Sequence, residues 1–141
     1  MQYMKLFLDC EFNGFGGELI SMALIDENEA FFYEVLPCTN PTSWVKDNVI
    51  PKLKKQPIDL KEFQKKLSIF LNNYNAIHII ADWPEDFSLF LKALIIKSGV
   101  CMTTPKLTME IWVSDISPML YSEIPHNALQ DAFALKRIYL N

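Results

Sequence analysis

No apolar run in this sequence approaches the ~20 residues that a membrane-spanning helix needs. The N-terminus lacks the layout of a signal peptide. Cysteine is scarce: Cys10, Cys38 and Cys101 are odd in number and show no CxxC spacing. They read as reduced, mostly buried thiols, and the expectation is a cytoplasmic protein with no membrane association. There is no surplus of basic charge, since the net charge is −4, which argues against strong general affinity for nucleic acid. Internal repeats, low-complexity segments and linkers are also missing. Gly14, Gly16 and Gly17 cluster but do not open a helix, which excludes a dinucleotide-binding fingerprint. No nucleophile-elbow motif is found, and a serine or cysteine hydrolase is poorly supported. What remains is a chain of 141 residues, half of them apolar and 13% aromatic, which suits one globular domain spanning residues 1–141.

The charge is unevenly spread. Residues 1–36 hold seven acids and one base, whereas residues 46–66 hold seven of the thirteen Lys and Arg residues. Two readings of that lysine tract compete: a solvated helix face, or a grip on phosphates beside an acidic centre. The acidic end begins with Lys5-Leu6-Phe7-Leu8-Asp9-Cys10-Glu11. On a strand, Asp9 and Glu11 point the same way and Cys10 points the other. Two adjacent acids at the end of a buried strand repel each other and resist desolvation, unless divalent ions neutralise them. The plainer alternative is that both simply mark the strand end in solvent.

The pattern predicts strands over Tyr3–Cys10, Leu19–Ile25 and Ala30–Leu36, forming an antiparallel meander. A short helix over Ser43–Val49 follows, then a longer one over Asp59–Tyr74 that opens on a capping box, Asp59-x-x-Glu62. Ala76–Ala81 reads as a strand buried on both faces, and Pro84–Lys97 as a helix closed by Gly99. Lys106–Val113 is a fifth strand, Asp115–Tyr121 a helical turn, and Asn127–Leu140 the final helix. A meander followed by strands alternating with helices indicates an α/β sheet covered on both faces.

Two further places could carry chemistry. In Asp82-Trp83-Pro84-Glu85-Asp86, the spacing of Asp82 and Glu85 gives Asp82 a capping task and leaves Asp86 as the favoured chemical residue. In His126-Asn127-Ala128-Leu129-Gln130-Asp131-Ala132, His126 and Asp131 would diverge by roughly 140° on one helix. With Asn127 as N-cap, however, His126 joins the loop and can face the pocket that Asp131 faces, as a general base must. Ordinary surface exposure is the competing reading for His126. His78, inside Ala-Ile-His-Ile-Ile-Ala, reads as a satisfied sheet residue.

The order Asp-x-Glu on the first strand, a lone Asp after a central strand and His-x4-Asp on the last helix resembles the DEDDh class of 3′–5′ exonucleases. That class belongs to the ribonuclease H-like superfamily and includes small stand-alone exoribonucleases. The resemblance covers essentially the whole chain. It implies a five-stranded mixed sheet of the ribonuclease H-like fold, and a hydrolase that trims single-stranded RNA or DNA from its 3′ end. By the same resemblance, Asp9 would bridge two Mg²⁺ or Mn²⁺ ions, Glu11 and Asp131 would complete one, Asp86 would support the other, and His126 would be the base. Phe12, Asn13, Phe15 and Trp83 would lie against the substrate, although core packing competes as the explanation of the three aromatics. Homodimers are common in the class. Two departures stand out: Phe12-Asn13-Gly14 replaces the usual Thr-Thr-Gly, and Trp83-Pro84-Glu85 precedes Asp86 where the class has Asn-x-x-Phe. A ribonuclease H-like endonuclease and a catalytically silent nucleic-acid-binding module are the rival readings.

Overall fold

Alternation along the first strand sorts the core into two layers. The computed structural model describes residues 2–141. In β1 (Met4–Phe12), Leu6, Leu8 and Cys10 enter one apolar cluster and Phe7 enters the other. Hairpin partners β2 (Leu19–Asp26) and β3 (Phe31–Val35) complete an antiparallel meander. The chain then forms α1 (Ser43–Asn48), a 3₁₀ turn (Ile50–Lys52) and α2 (Leu60–Leu71). It continues through β4 (Ala76–Ala81), α3 (Pro84–Ala93), a hairpin of β5 (Ile95–Lys97) and β6 (Val100–Cys101), and β7 (Lys106–Ile111). A second 3₁₀ turn (Pro118–Tyr121) leads into α4 (Ala128–Leu140). The main sheet has the order β3-β2-β1-β4-β7, with β4 parallel to both β1 and β7.

The expected five-stranded mixed sheet with helices on both faces is therefore present. Phe63, Leu67 and Leu71 of α2 and Phe87 and Phe90 of α3 cover the face that carries Leu6, Leu8 and Cys10. Val45 of α1 and Ala128, Ala132 and Leu135 of α4 cover the Phe7 face. Asp59 caps α2 as its sequence predicts, accepting from the Glu62 amide at 2.8 Å. None of the described helices is long and apolar enough to cross a membrane.

Three expectations need correction. The helix predicted over Pro84–Lys97 stops at Ala93. The β-branched pair Ile95-Ile96 then enters an extended hairpin, and Gly99 (φ +79°) turns that hairpin rather than capping a helix. Asp82 caps nothing: Trp83 occupies the N-cap position of α3, and no side chain bonds to that end. Between Ile111 and Pro118 the chain is irregular, so the predicted turn over Asp115–Tyr121 shrinks to its last four residues.

Candidate metal centre

Asp9 and Glu11 lie near the end of β1, with a register shift against β2 immediately after Glu11. Such bulges re-aim side chains at strand ends. Asp9 shares the Phe7 face, so both acids turn toward the N-terminus of α4 while Cys10 packs into the opposite layer. Asn127 caps α4, its Oδ1 accepting from the Gln130 amide at 3.0 Å. That cap leaves Asp131 in the first turn and His126 outside the helix, in the left-handed region at φ +71°. The His126 amide donates to Asp131 Oδ2 at 3.2 Å, tying loop to helix. Asp86, on the first turn of α3, approaches from beyond β4, and Cys10 Sγ lies 3.8 Å from its backbone oxygen.

These residues form two carboxylate triads that share Asp9. Ligand oxygens of Asp9, Glu11 and Asp131 lie within 4.8 Å of one another, and so do those of Asp9, Asp82 and Asp86. Asp86 is 2% exposed and Asp131 7%. Asp9 Oδ2, Asp86 Oδ2 and Asp131 Oδ1 are buried with no hydrogen-bond partner among the described residues. Leaving one such atom unpaired costs ~1–3 kcal/mol, and more when it is charged. Burial first, and then the neighbouring acids, push Asp9 and Asp86 well above the usual carboxylate range. Burial and Asp131 push Glu11 up to about 9, and burial pushes Asp131 up to about 6. Asp82 is raised as well, by burial. A donor set made of carboxylate oxygens alone, dense and short of protein donors, fits hard divalent cations such as Mg²⁺ or Mn²⁺.

The triads form the floor of a cleft of about 670 Å³. His126 stands at its rim, its ring edge-on to Trp44 of α1 with centroids 5.0 Å apart. Burial and the charge of Lys52 hold the imidazole below its ordinary value, so it is neutral at pH 7. Phe12, Phe15 and Trp83 line the cleft wall, together with Trp44, Thr42, Pro118 and Met119. Phe15 is 87% exposed and Trp83 48%, so core packing does not account for either; Phe12 is half-buried against the core. Glu85 braces this wall, accepting from the Gly16 amide at 2.9 Å and from Trp83 Nε1 at 3.2 Å.

The structure thus brings Asp9, Glu11, Asp86, Asp131 and His126 to one cleft, with Phe12, Phe15 and Trp83 on its wall. It does not bring Asn13, whose amide donates to the Asn40 carbonyl and accepts from the Thr42 amide, each at 2.9 Å. Asn13 clamps the β1–β2 loop to the entry of α1. Sequence reasoning favours Asp86 over Asp82, where the structure brings both to Asp9, and it misses Trp44. Asp82 was assigned to capping because its spacing to Glu85 mimics a capping box. Trp44 sits in a short helix without a distinguishing pattern, and only the fold carries it over His126. Neither a known protein-family model nor a curated protein matches the chain.

Proposed function

We propose that this protein is a metal-dependent 3′–5′ exonuclease of the DEDDh type, acting on single-stranded nucleic acid, with RNA as the first substrate to test. The observation that carries the reading is the pair of carboxylate triads meeting at Asp9, with three buried oxygens left unpartnered and a neutral histidine at the rim. A meander followed by two parallel crossover strands is compatible with a ribonuclease H-like fold.

Asp9, Glu11 and Asp131 would hold one ion, and Asp9, Asp82 and Asp86 the other. The chemistry such a pair supplies is activation of water and neutralisation of the phosphodiester and its departing 3′ oxygen. His126 accepts the proton of the attacking water, a role its lowered basicity suits because the free ring nitrogen is available at neutral pH. Trp44, packed against the ring, restricts the orientations the imidazole can take. Phe15 and Trp83 offer exposed π-faces to terminal bases, and stacking of ~1–3 kcal/mol per base carries no sequence preference. Divalent charge on the acidic floor allows a protein of net charge −4 to accept a polyanion there.

The test is a time course on 5′-labelled single-stranded RNA and DNA. A ladder shortening from the 3′ end, dependent on Mn²⁺ or Mg²⁺ and abolished by EDTA, is expected. Internal fragments would favour the endonuclease reading, and no cleavage under any metal would favour a silent module. His126→Ala should lower turnover by ~10²–10⁴-fold, the range of general-base catalysis, without loss of folding.

A further inference from the structure

The two edges of the main sheet differ in what covers them. At β3 the outward main chain is occupied: Lys55 Nζ donates to the Tyr33 carbonyl at 2.7 Å, and the Ile58 amide to the Val35 carbonyl at 2.8 Å. At β7 nothing among the described residues does this. The Trp112 amide donates to the Ala81 carbonyl at 2.8 Å, so its alternates Thr108 and Glu110 also turn their main chain toward β4. Leu107, Met109 and Ile111 therefore aim their N–H and C=O groups away from the sheet, where these groups find no partner among the described residues. Edge strands are ordinarily blunted by a central charge, a proline or a bulge, and β7 has none of these between Leu107 and Met109. Exposed apolar side chains gather on this edge and just after it. Met109 is 44% exposed, Ile111 50% and Val113 84%, with Ile116, Leu120 and Tyr121 exposed further along. An edge that is both unpaired and apolar is a template for another strand.

We propose that β7 pairs antiparallel with β7 of a second copy of this chain, about a two-fold axis at Thr108, joining two five-stranded sheets into one. The charges on the strand select this partner and this register. Leu107 and Met109 of one copy exchange main-chain hydrogen bonds with Met109 and Leu107 of the other. Lys106 of each copy then stands directly opposite Glu110 of the other, at positions where cross-strand side chains approach most closely. Lys106 is exposed and makes no ion pair among the described residues. Glu110 engages both His78 and Tyr139 through Oε1, which leaves Oε2 for the ammonium. Moving the axis to Met109 would set Glu110 against Thr108 and Lys106 against Trp112, with no charge paired. A parallel, in-register alignment would set lysine beside lysine and glutamate beside glutamate. Because the paired strands run in opposite directions, the two clefts, at the C-terminal ends of β1 and β4, lie at opposite ends of the joined sheet. Assembly through this edge does not depend on the chemistry of the cleft.

The experiment is sedimentation velocity of the full chain over a concentration series, with thermal melts showing that each variant is folded. The wild type should sediment at twice the mass of the chain at high concentration and dissociate on dilution. Met109→Lys puts a charge in the middle of the edge without touching the β4 ladder. Lys106→Glu sets two carboxylates against each other at each end of the pairing. Each should raise the dimer Kd by roughly tenfold or more. Glu110→Lys should do the same by opposing ammonium groups. An equimolar mixture of Lys106→Glu and Glu110→Lys chains should recover dimers, because each charge again meets its opposite. Glu110→Lys also gives up the bonds to His78 and Tyr139; if it does not fold, Met109→Lys and Lys106→Glu decide alone. A wild type that stays monomeric at ~1 mM overturns the assignment. So does a dimer whose Kd is unchanged in both Met109→Lys and Lys106→Glu, since its contact then lies elsewhere. Failure of the mixture to recover dimers, with both variants folded, overturns the pairing of Lys106 with Glu110 and with it the proposed register.

Discussion

Two polar clusters sit on the same face of the sheet, about four strand residues or ~13 Å apart, and they are built on opposite principles. In the first, His78 of β4 engages Thr108 Oγ1 through Nδ1 at 2.6 Å and Glu110 Oε1 through Nε2 at 2.9 Å. Tyr139 of α4 donates to the same Glu110 oxygen at 2.9 Å. The bond from His78, opposed in part by burial and aided by the bond from Tyr139, holds the Glu110 carboxyl below its ordinary range. In the second, four carboxylates crowd around that of Asp9, the pKa values of all five move up, and three buried oxygens have no donor. A polar group that completes its bonds within the chain stabilises the fold, whereas one that cannot must be explained by something the chain binds. Proximity of charged residues does not separate the clusters; the balance of donors to acceptors does.

The sharpest way to break this contrast is to remove one carboxylate from each cluster. Asp9→Asn takes away the group common to both triads. Cleavage should fall by roughly 10³-fold or more, since the charge stabilisation at stake is several kcal/mol. In EDTA the same variant should melt higher than wild type, because it relieves like-charge repulsion and the desolvation of a buried anion. Glu110→Gln should do the reverse: it should melt lower and cleave normally. Thermal melts of both variants in EDTA provide the check. If Asp9→Asn melts lower as well, the acidic cluster is structural and the comparison collapses.

The response to pH should also have opposite sign in the two clusters. Glu11 titrates at about 9 and Asp131 at about 6 in the folded protein, above their unfolded values near the ordinary carboxylate range. The folded state therefore holds protons that the unfolded chain has already released. The stability these groups contribute is fully present below their unfolded pKa values. It is lost as pH rises through about 6 and then about 9. For Glu110, whose folded value is depressed, stability is present above the unfolded pKa and lost on acidification. Metal-free protein should consequently lose melting temperature between pH 5 and 9, and Glu11→Gln should remove the upper part of that loss. Mn²⁺ at ~100 times its Kd should add ~2.7 kcal/mol and flatten the profile, because cations replace the protons. A metal-free profile that rises over this range would show that the raised values are not present in solution.

The same contrast explains how much could be read before the structure. The strands of the meander, the capped helix α2 and the role of Asn127 as N-cap follow from local patterns: alternation, Asp59-x-x-Glu62, and the spacing that frees His126 from the last helix. Satisfaction of His78 within the sheet was legible too, because a lone histidine between isoleucines must find partners across the strands. Local pattern misled where two structures share one spacing. Asp82 and Glu85 have the separation of a capping box, yet Asp82 turns toward Asp9 and Glu85 braces the β1–β2 loop. Ile95-Ile96 extends a helical periodicity, but β-branching and Gly99 convert it to a hairpin. Trp44 was illegible for a different reason: it is brought to the cleft by long-range packing of α1 on the Phe7 face. No spacing within its own segment encodes that arrival.

The smallest expected effect tests whether the two clusters are independent. His78→Ala removes a ring bonded at both nitrogens and leaves Glu110 with Tyr139 alone. Two partly exposed hydrogen bonds are worth ~1–3 kcal/mol together, a few degrees of melting temperature for a domain of this size. Cleavage should be unaffected, because the changes end at β7 and the C-terminal turns of α4, whereas Asp131 is fixed by the N-cap at the other end of that helix. Tyr139 also packs edge-on against Phe7, two residues before Asp9 on β1, which makes a short packed route between the clusters. Comparing His78→Ala with Tyr139→Phe, which retains that ring contact and loses only the hydroxyl, isolates the route. A matched fall in stability with constant turnover makes the clusters separate devices on one sheet. A loss of turnover in His78→Ala that Tyr139→Phe does not share would mean that the β4–β7 bonds help set the geometry of Asp82 and Asp86 at the far end of β4.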